Sequence, residues 1–265
     1  MKSAYSVKFF VSLVMMVLIL TSFKIRRPVS LIDRSHFKTH TSNSDGRGFA
    51  VLELFTSEGC SSCPPADELI AGIQKETAGK SIYILTYHVD YWDRLGWKDI
   101  FSSAEYSNRQ LQYGRWLKIS PIYTPQVIVN GKEQFVGSEA SAIHHSISEQ
   151  LAINPSATLA IQARQEGDHL NLKYQAVHVR SGSPVLIVII QKAAQSKVER
   201  GENAGRLLSH VQIVRKLQTG QLDASGNGTV DMILPRDFNH QSWEVLGLVQ
   251  DQVSGEMQAV AKVIL

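Results

Sequence analysis

Cys60 and Cys63 are the two cysteines of a 265-residue chain, with Ser61 and Ser62 between them. Two thiols at this spacing suit thiol–disulfide exchange, in which one thiolate attacks and the second sulfur releases the mixed disulfide. At a helix start, the first sulfur meets the positive end of the helix dipole, which favours thiolate, and the second follows one turn further in. The turn Thr56-Ser57-Glu58-Gly59 leaves Cys60 at the exposed end, and Pro64-Pro65 fit a first helical turn. Zinc ribbons share the spacing, but a structural zinc site takes four ligands and no second pair exists here. A single pair also excludes a small secreted fold stapled by several disulfides.

Other residue types could join this chemistry. Glu58 and Asp67 are nearby carboxylates, either of which would raise a thiol pKa and oppose the helix. His88 and Asp90 alternate at the C-terminal end of an expected strand, where open α/β sheets carry their ligand crevice. They would line a substrate site there, or form a structural hydrogen bond. Tyr91, Trp92 and Trp97 would wall a peptide groove beside the cysteines, or pack their own loop. His144 and His145, adjacent on a helix, cannot face one metal ion, and no metal set is expected. Arg200-Gly201-Glu202-Asn203 with Arg206 is a dense polar motif, either a recognition element or a salt-bridged turn.

The elements that must position these residues change character once. From Phe49 to Ile153 strands and helices alternate: strands at Phe49–Phe55, Ile82–Val89, Gln126–Val129 and Gln134–Val136, the last two flanking an Asn130-Gly131 hairpin turn. Leu69, Ile70 and Ile73 mark a helix stopping near Gly79, and Ser102–Lys118 a second, capped by Ser102 or Ser103. Ile143, Ile147 and Leu151 mark a third, ending before Pro155. Beyond Pro155 the period becomes two, with strands expected around Leu159–Ala163, Leu170–Ala176, Val185–Ile190, Val211–Leu217, Thr229–Leu234, Trp243–Val249 and Ala259–Leu265. Short strands between Gly-rich turns suggest an antiparallel sandwich.

Composition narrows the class. With 43% hydrophobic residues and 19% charged, the chain is no disordered, collagen-like or coiled-coil sequence. Its net charge of +3 is scattered, so the basic stripe of a nucleic-acid binder is missing. No organic cofactor motif is visible. Lys2 and Lys8 precede an apolar run from Phe9 to Phe23, which reads as an export signal. Lys24, Arg26 and Arg27 follow it without an Ala-x-Ala site, so a cleaved signal and an inner-membrane anchor over residues 9–23 both stay open. Thr39–Gly48 reads as a flexible tether.

Strand, Cys-x-x-Cys helix, strand, helix, Thr-Pro strand, Asn-Gly hairpin and final helix together resemble the thioredoxin fold. More narrowly, FTSEGCSSCPPADE, YHVDYWDRLGWKD, YTPQVIVNG and VERGENAGR resemble the domain-of-unknown-function 1223 family over nearly everything after residue 48. Those are exported bacterial proteins with a thioredoxin-like half followed by a β-rich half. The resemblance implies a cis bond between Thr124 and Pro125 facing the two sulfurs, with Pro125 shaping the groove for a substrate backbone. It also exposes a departure. Thioredoxins carry a buried acid six residues before the first cysteine, and that place is Leu54 here, with Glu53 beside it pointing to the opposite face.

The expected protein is therefore a signal or anchor plus tether (1–48), a thioredoxin-like α/β domain (49–155) and a β-sandwich-like domain (156–265). Its expected work is thiol–disulfide exchange on protein substrates in the cell envelope, Cys60 attacking and Cys63 resolving, with a redox partner to reset the pair. Two alternatives use the same cysteines: soft Cu(I) held by Cys60, Cys63 and His88, or an inert disulfide in a binding module whose β half does the work.

Overall fold

All seven residues of β2 (Ala50–Thr56) are buried, as expected of a central strand covered on both faces. In the computed structural model, which describes residues 38–41, 48–263 and 265, β2 pairs in parallel with β3 (Ile82–His88) and antiparallel with β4 (Gln126–Val129). The hairpin to β5 (Glu133–Val136) turns at Asn130 and Gly131, both at positive φ, the conformation that a two-residue Asn-Gly turn demands. Helices α1 (Pro64–Glu76) and α3 (Ala140–Ala152) bury Ile70, Ile73, Ile143 and Ile147 against Ala50, Leu52 and Leu54. The alternate residues Val51 and Phe55 face α2 (Ala104–Trp116), which contributes Tyr106 and Tyr113. Ser103 caps α2, its hydroxyl accepting the Glu105 N–H at 3.2 Å.

Among the described residues, the three α-helices precede Pro155, and every element after it is a strand: β6 (Thr158–Glu166), β7 (His169–Val177), β8 (Val185–Lys197), β9 (Leu207–Gly220), β10 (Asn227–Ile233), β11 (Trp243–Gln250) and β12 (Met257–Val263). These strands do not keep to themselves. β9 pairs in parallel with β3, Thr86 opposite Ile213, so one eight-stranded sheet runs β12-β11-β8-β9-β3-β2-β4-β5 across both segments. A second sheet, in the order β1 (Lys38–Thr41), β6, β7, β10, packs Leu159, Ile161, Leu172 and Met232 onto Ile187, Ile189 and Val245 of the large sheet. The other face of β8 and β11, with Val188, Ile190 and Leu248, joins the core under α2. The fold is thus a mixed α/β arrangement of one large and one small sheet, and the described residues belong to one compact unit.

Two expectations need correction. The tether expected from Thr39 onward begins instead with strand β1 (Lys38–Thr41), paired antiparallel with β6. The β segment is not a separate sandwich, because its layer β12-β11-β8-β9 continues into the sheet that carries β2 and β3. Period-two patterning identifies a strand but not its neighbour, so this sharing could not be read from the pattern. The apolar run at residues 9–23 lies outside the described residues; among the described ones, no helix is long and apolar enough to cross a membrane.

Candidate functional site

Cys60 and Cys63 are joined by a disulfide, with Cα atoms 5.4 Å apart, in the turn between β2 and α1. The chain closes this turn on itself: Cys60 N–H donates to Ser57 O at 3.1 Å, and Cys63 N–H to Cys60 O at 3.2 Å. Cys63 is the N-cap of α1, with Pro64 and Pro65 as the first helical residues. Neither proline has an N–H, and the next two amides, of Ala66 and Asp67, donate to Cys63 O. The expected row of free helix amides facing Cys60 is therefore absent. The polar contact that sulfur does make is with the Ser62 hydroxyl, 3.4 Å away.

Both cysteines are fully buried, whereas Ser61 and Ser62 are exposed. Cys60 was expected to be open; what covers it is the Arg200–Arg206 motif, between β8 and β9. The buried Asn203 amide donates to Glu58 O and Cys60 O, each at 2.9 Å. Glu202 accepts the Ser61 N–H at 3.0 Å, a contact that holds its carboxyl below the usual range. Arg206 donates to Asn203 Oδ1 at 2.9 Å. The motif is a clasp on the cysteine turn, a role whose residues lie more than 140 positions away in sequence.

Pro125 follows a cis bond from Thr124 and is buried; Ser120–Pro121 is also cis. A Cβ on Gly137 would approach within 2.8 Å of both Ala66 Cβ and Pro125 Cβ, so Pro125 lies beside the first turn of α1. Trp92 Nε1 donates to Thr124 Oγ1 at 2.8 Å, and a Cβ on Gly59 would meet Trp92 Cβ at 3.1 Å. Trp92 thus links the residue before Cys60 to the residue before Pro125. Trp97 Nε1 donates to Glu58 Oε2 at 2.7 Å, and its Cβ lies under Gly201 of the clasp.

His88 and Asp90 do not act together. The strand ends at His88, and Asp90 opens a short 3₁₀ turn (Asp90–Leu95), where it binds the Ser107 hydroxyl. His88 is fully buried, and its Nδ1 lies 2.6 Å from Asp99 Oδ2. Burial works against a charged Asp99, but the His88 ring and the N–H groups of Glu58 and Phe101 hold it below the ordinary carboxylate range. Glu53 points away from Leu54 as expected, into a bidentate pair with Arg109, both contacts at 2.7 Å.

Sequence reasoning missed His210. It lies on β9, fully buried, with Nε2 3.6 Å from Glu58 Oε1 and Nδ1 3.7 Å from Asp67 Oδ1. These are ion-pair separations, and neither ring nitrogen makes a hydrogen bond among the described residues. The His88 ring stands edge-on to it, centroids 4.6 Å apart. Burial alone would push the ring pKa down; the Asp67 and Glu58 carboxylates outweigh it and lift His210 to about 9. Among the described residues no three His, Cys, Asp or Glu side chains are placed to hold a metal ion.

Residues 51–250 match the family model described as "Protein of unknown function (DUF1223)". The chain belongs to the DUF1223 family. The crystal structure of protein AGR_C_4864 from Agrobacterium tumefaciens is similar to it: 28% identity, a TM-score of 0.61, and coverage of 82% of this chain and 93% of that one. No curated protein matches the sequence. The family description names no activity, so the chemistry has to be argued from the cysteine turn and what surrounds it.

Proposed function

We propose that this DUF1223 protein is a thiol–disulfide oxidoreductase of thioredoxin-like build, exported through its N-terminal apolar segment and acting on protein disulfides in the cell envelope. The observation that carries the reading is the Cys60–Cys63 disulfide at the N-cap of α1, with Pro125 beside that helix's first turn. The strand order β3-β2-β4-β5, helices on both faces and the cis Thr124–Pro125 bond support the thioredoxin-like description.

In the reducing direction, the Cys60 thiolate bonds to one sulfur of a substrate disulfide. The substrate S–S bond breaks, and its electron pair leaves with the second substrate sulfur, which takes a proton. The Cys63 thiol then gives up its proton and attacks Cys60 Sγ, releasing the first substrate sulfur and closing the protein disulfide. The substrate gains two electrons and the cysteine pair loses two; a partner dithiol restores the pair. In the reverse direction the same steps oxidise a substrate dithiol. Trp92, Thr124 and Pro125 border the turn where a substrate segment would lie. Access to Cys60 requires the Glu202–Ser61 contact to part, and that contact is at the surface.

Cys63→Ser tests this in the intact cell envelope. It should accumulate reductant-sensitive adducts with client proteins through Cys60, while Cys60→Ser gathers none and loses turnover. Absence of adducts from either variant, with a wild-type dithiol inert toward disulfide substrates, would refute the oxidoreductase reading. Tight Cu(I) binding that needs both cysteines would then put the pair to a different use.

A further inference from the structure

Glu58 and Asp67 bracket the cysteine turn, two residues before Cys60 and four after Cys63. Asp67 is one helical turn beyond Cys63, and its own amide is tied to Cys63 O at 3.2 Å. Both carboxylates converge on one imidazole from the other segment of the chain, His210. Its two nitrogens and Glu58 Oε1 are buried with no hydrogen-bond partner among the described residues, so their polar capacity is unused in the disulfide form. The other titratable groups near the ring are His88, from β3, and Asp99, from the loop before α2. Phe101 closes the remaining side at 5.7 Å between ring centroids, with the Arg215 guanidinium over that ring.

We propose that His210, acting through Asp67, is the positioning residue that stores and returns the proton exchanged when the Cys60–Cys63 pair opens and closes. This rests on the dithiol reading given above. When a reductant thiolate bonds to Cys60 Sγ, the Cys60–Cys63 bond breaks and its electron pair goes to Cys63 Sγ. The proton that neutralises Cys63 comes from the His210 imidazolium by way of the Asp67 carboxyl, and solvent reprotonates the ring. In the closing direction the Cys63 thiol returns its proton along the same route as it attacks the mixed disulfide. With both prolines lacking N–H groups, the helix start offers Cys63 no free amide, and Asp67, four residues on from Cys63, is the carboxylate that helical spacing places on the same face as Cys63.

The test is the rate of reduction of the full-length disulfide by dithiothreitol from pH 6 to 10, divided by the concentration of dithiothreitol thiolate. For the wild type this corrected rate should fall at least tenfold on the alkaline side as His210 loses its proton. His210→Gln should be about tenfold slower at neutral pH and flat across the range. Asp67→Asn keeps the ring but removes the carboxyl through which the proton passes, so it should be as slow at neutral pH as His210→Gln and equally flat. A flat wild-type profile, an unchanged fall in His210→Gln, or a wild-type rate and fall in Asp67→Asn each overturns the proposal. A profile as expected in a protein whose Cys63→Ser variant traps no client would leave the proton store standing and sink the oxidoreductase instead.

Discussion

Replacing Asn203 by Ala removes the clasp's donor to the cysteine turn while leaving both cysteines, the carboxylates and His210 in place. The wild-type amide serves Glu58 O and Cys60 O, each at 2.9 Å, and accepts from Arg206. Cys60 O keeps the Cys63 amide as a second partner. Two buried hydrogen bonds at about 1 kcal/mol each, plus about 1–3 kcal/mol for stranding the Glu58 carbonyl, sum to about 3–5 kcal/mol. For a unit of this size that lowers the melting temperature by roughly 6–20 °C. Because the loss is local to the clasp, even 2–3 kcal/mol of weaker closure should raise the rate of disulfide reduction by dithiothreitol roughly 30- to 160-fold, provided opening limits access. Asn203→Asp sharpens the comparison. It keeps the volume but turns an acceptor-only carboxylate toward two carbonyl oxygens, so it should destabilise more than Ala does. Circular dichroism melts and thiol release followed by a chromogenic reagent read both quantities. If Asn203→Asp is tolerated, or if Ala lowers the melting temperature without speeding reduction, the clasp does not control access and the reasoning fails.

Stability should also respond to alkali through His210. Its pKa in the folded protein is about 9, above the ordinary 6.5, so the stabilisation is full below pH 6.5 and is lost as pH rises through 9. That difference amounts to about 3 kcal/mol, and urea midpoints between pH 6 and 10 should decline in the wild type and flatten in His210→Gln. Gly137→Ala should cost about 1–3 kcal/mol by overpacking, because its Cβ would meet Ala66 and Pro125 at 2.8 Å. Chemical denaturation checks that value, and an unchanged midpoint would mean that Pro125 and α1 are not held against each other.

Much of this fold was legible because local signals agreed with one another. The Asn130-Gly131 turn required positive φ at both residues, and the structure supplies it between strands that begin and end within a residue of their expected limits. The alternation of Glu53 and Leu54 placed the acid on the α2 face, away from the cysteines. The parts that escaped are those where two distant segments meet. Nothing near Asn203 or His210 in sequence signals that a cysteine turn will lie against them. Arg109, a charge on α2 that no sequence motif singles out, is buried against Glu53, Tyr113 and Gln250. A lone ion pair of this kind shows no period, so only the assembled sheet reveals it.

The parallel pairing of β3 with β9 also sets an order of events. As the chain emerges from its N-terminal end, the cysteine turn and its flanking carboxylates exist long before residues 203 and 210 do. Contacts separated by so many residues close late, since the intervening loop must first be brought together. Until then Cys60 and Cys63 have neither clasp nor buried counter-charge, and oxidants in the surroundings meet them freely. An oxidant therefore has its easiest access to the pair before the distal strands dock, and the docked clasp covers a disulfide that is already closed.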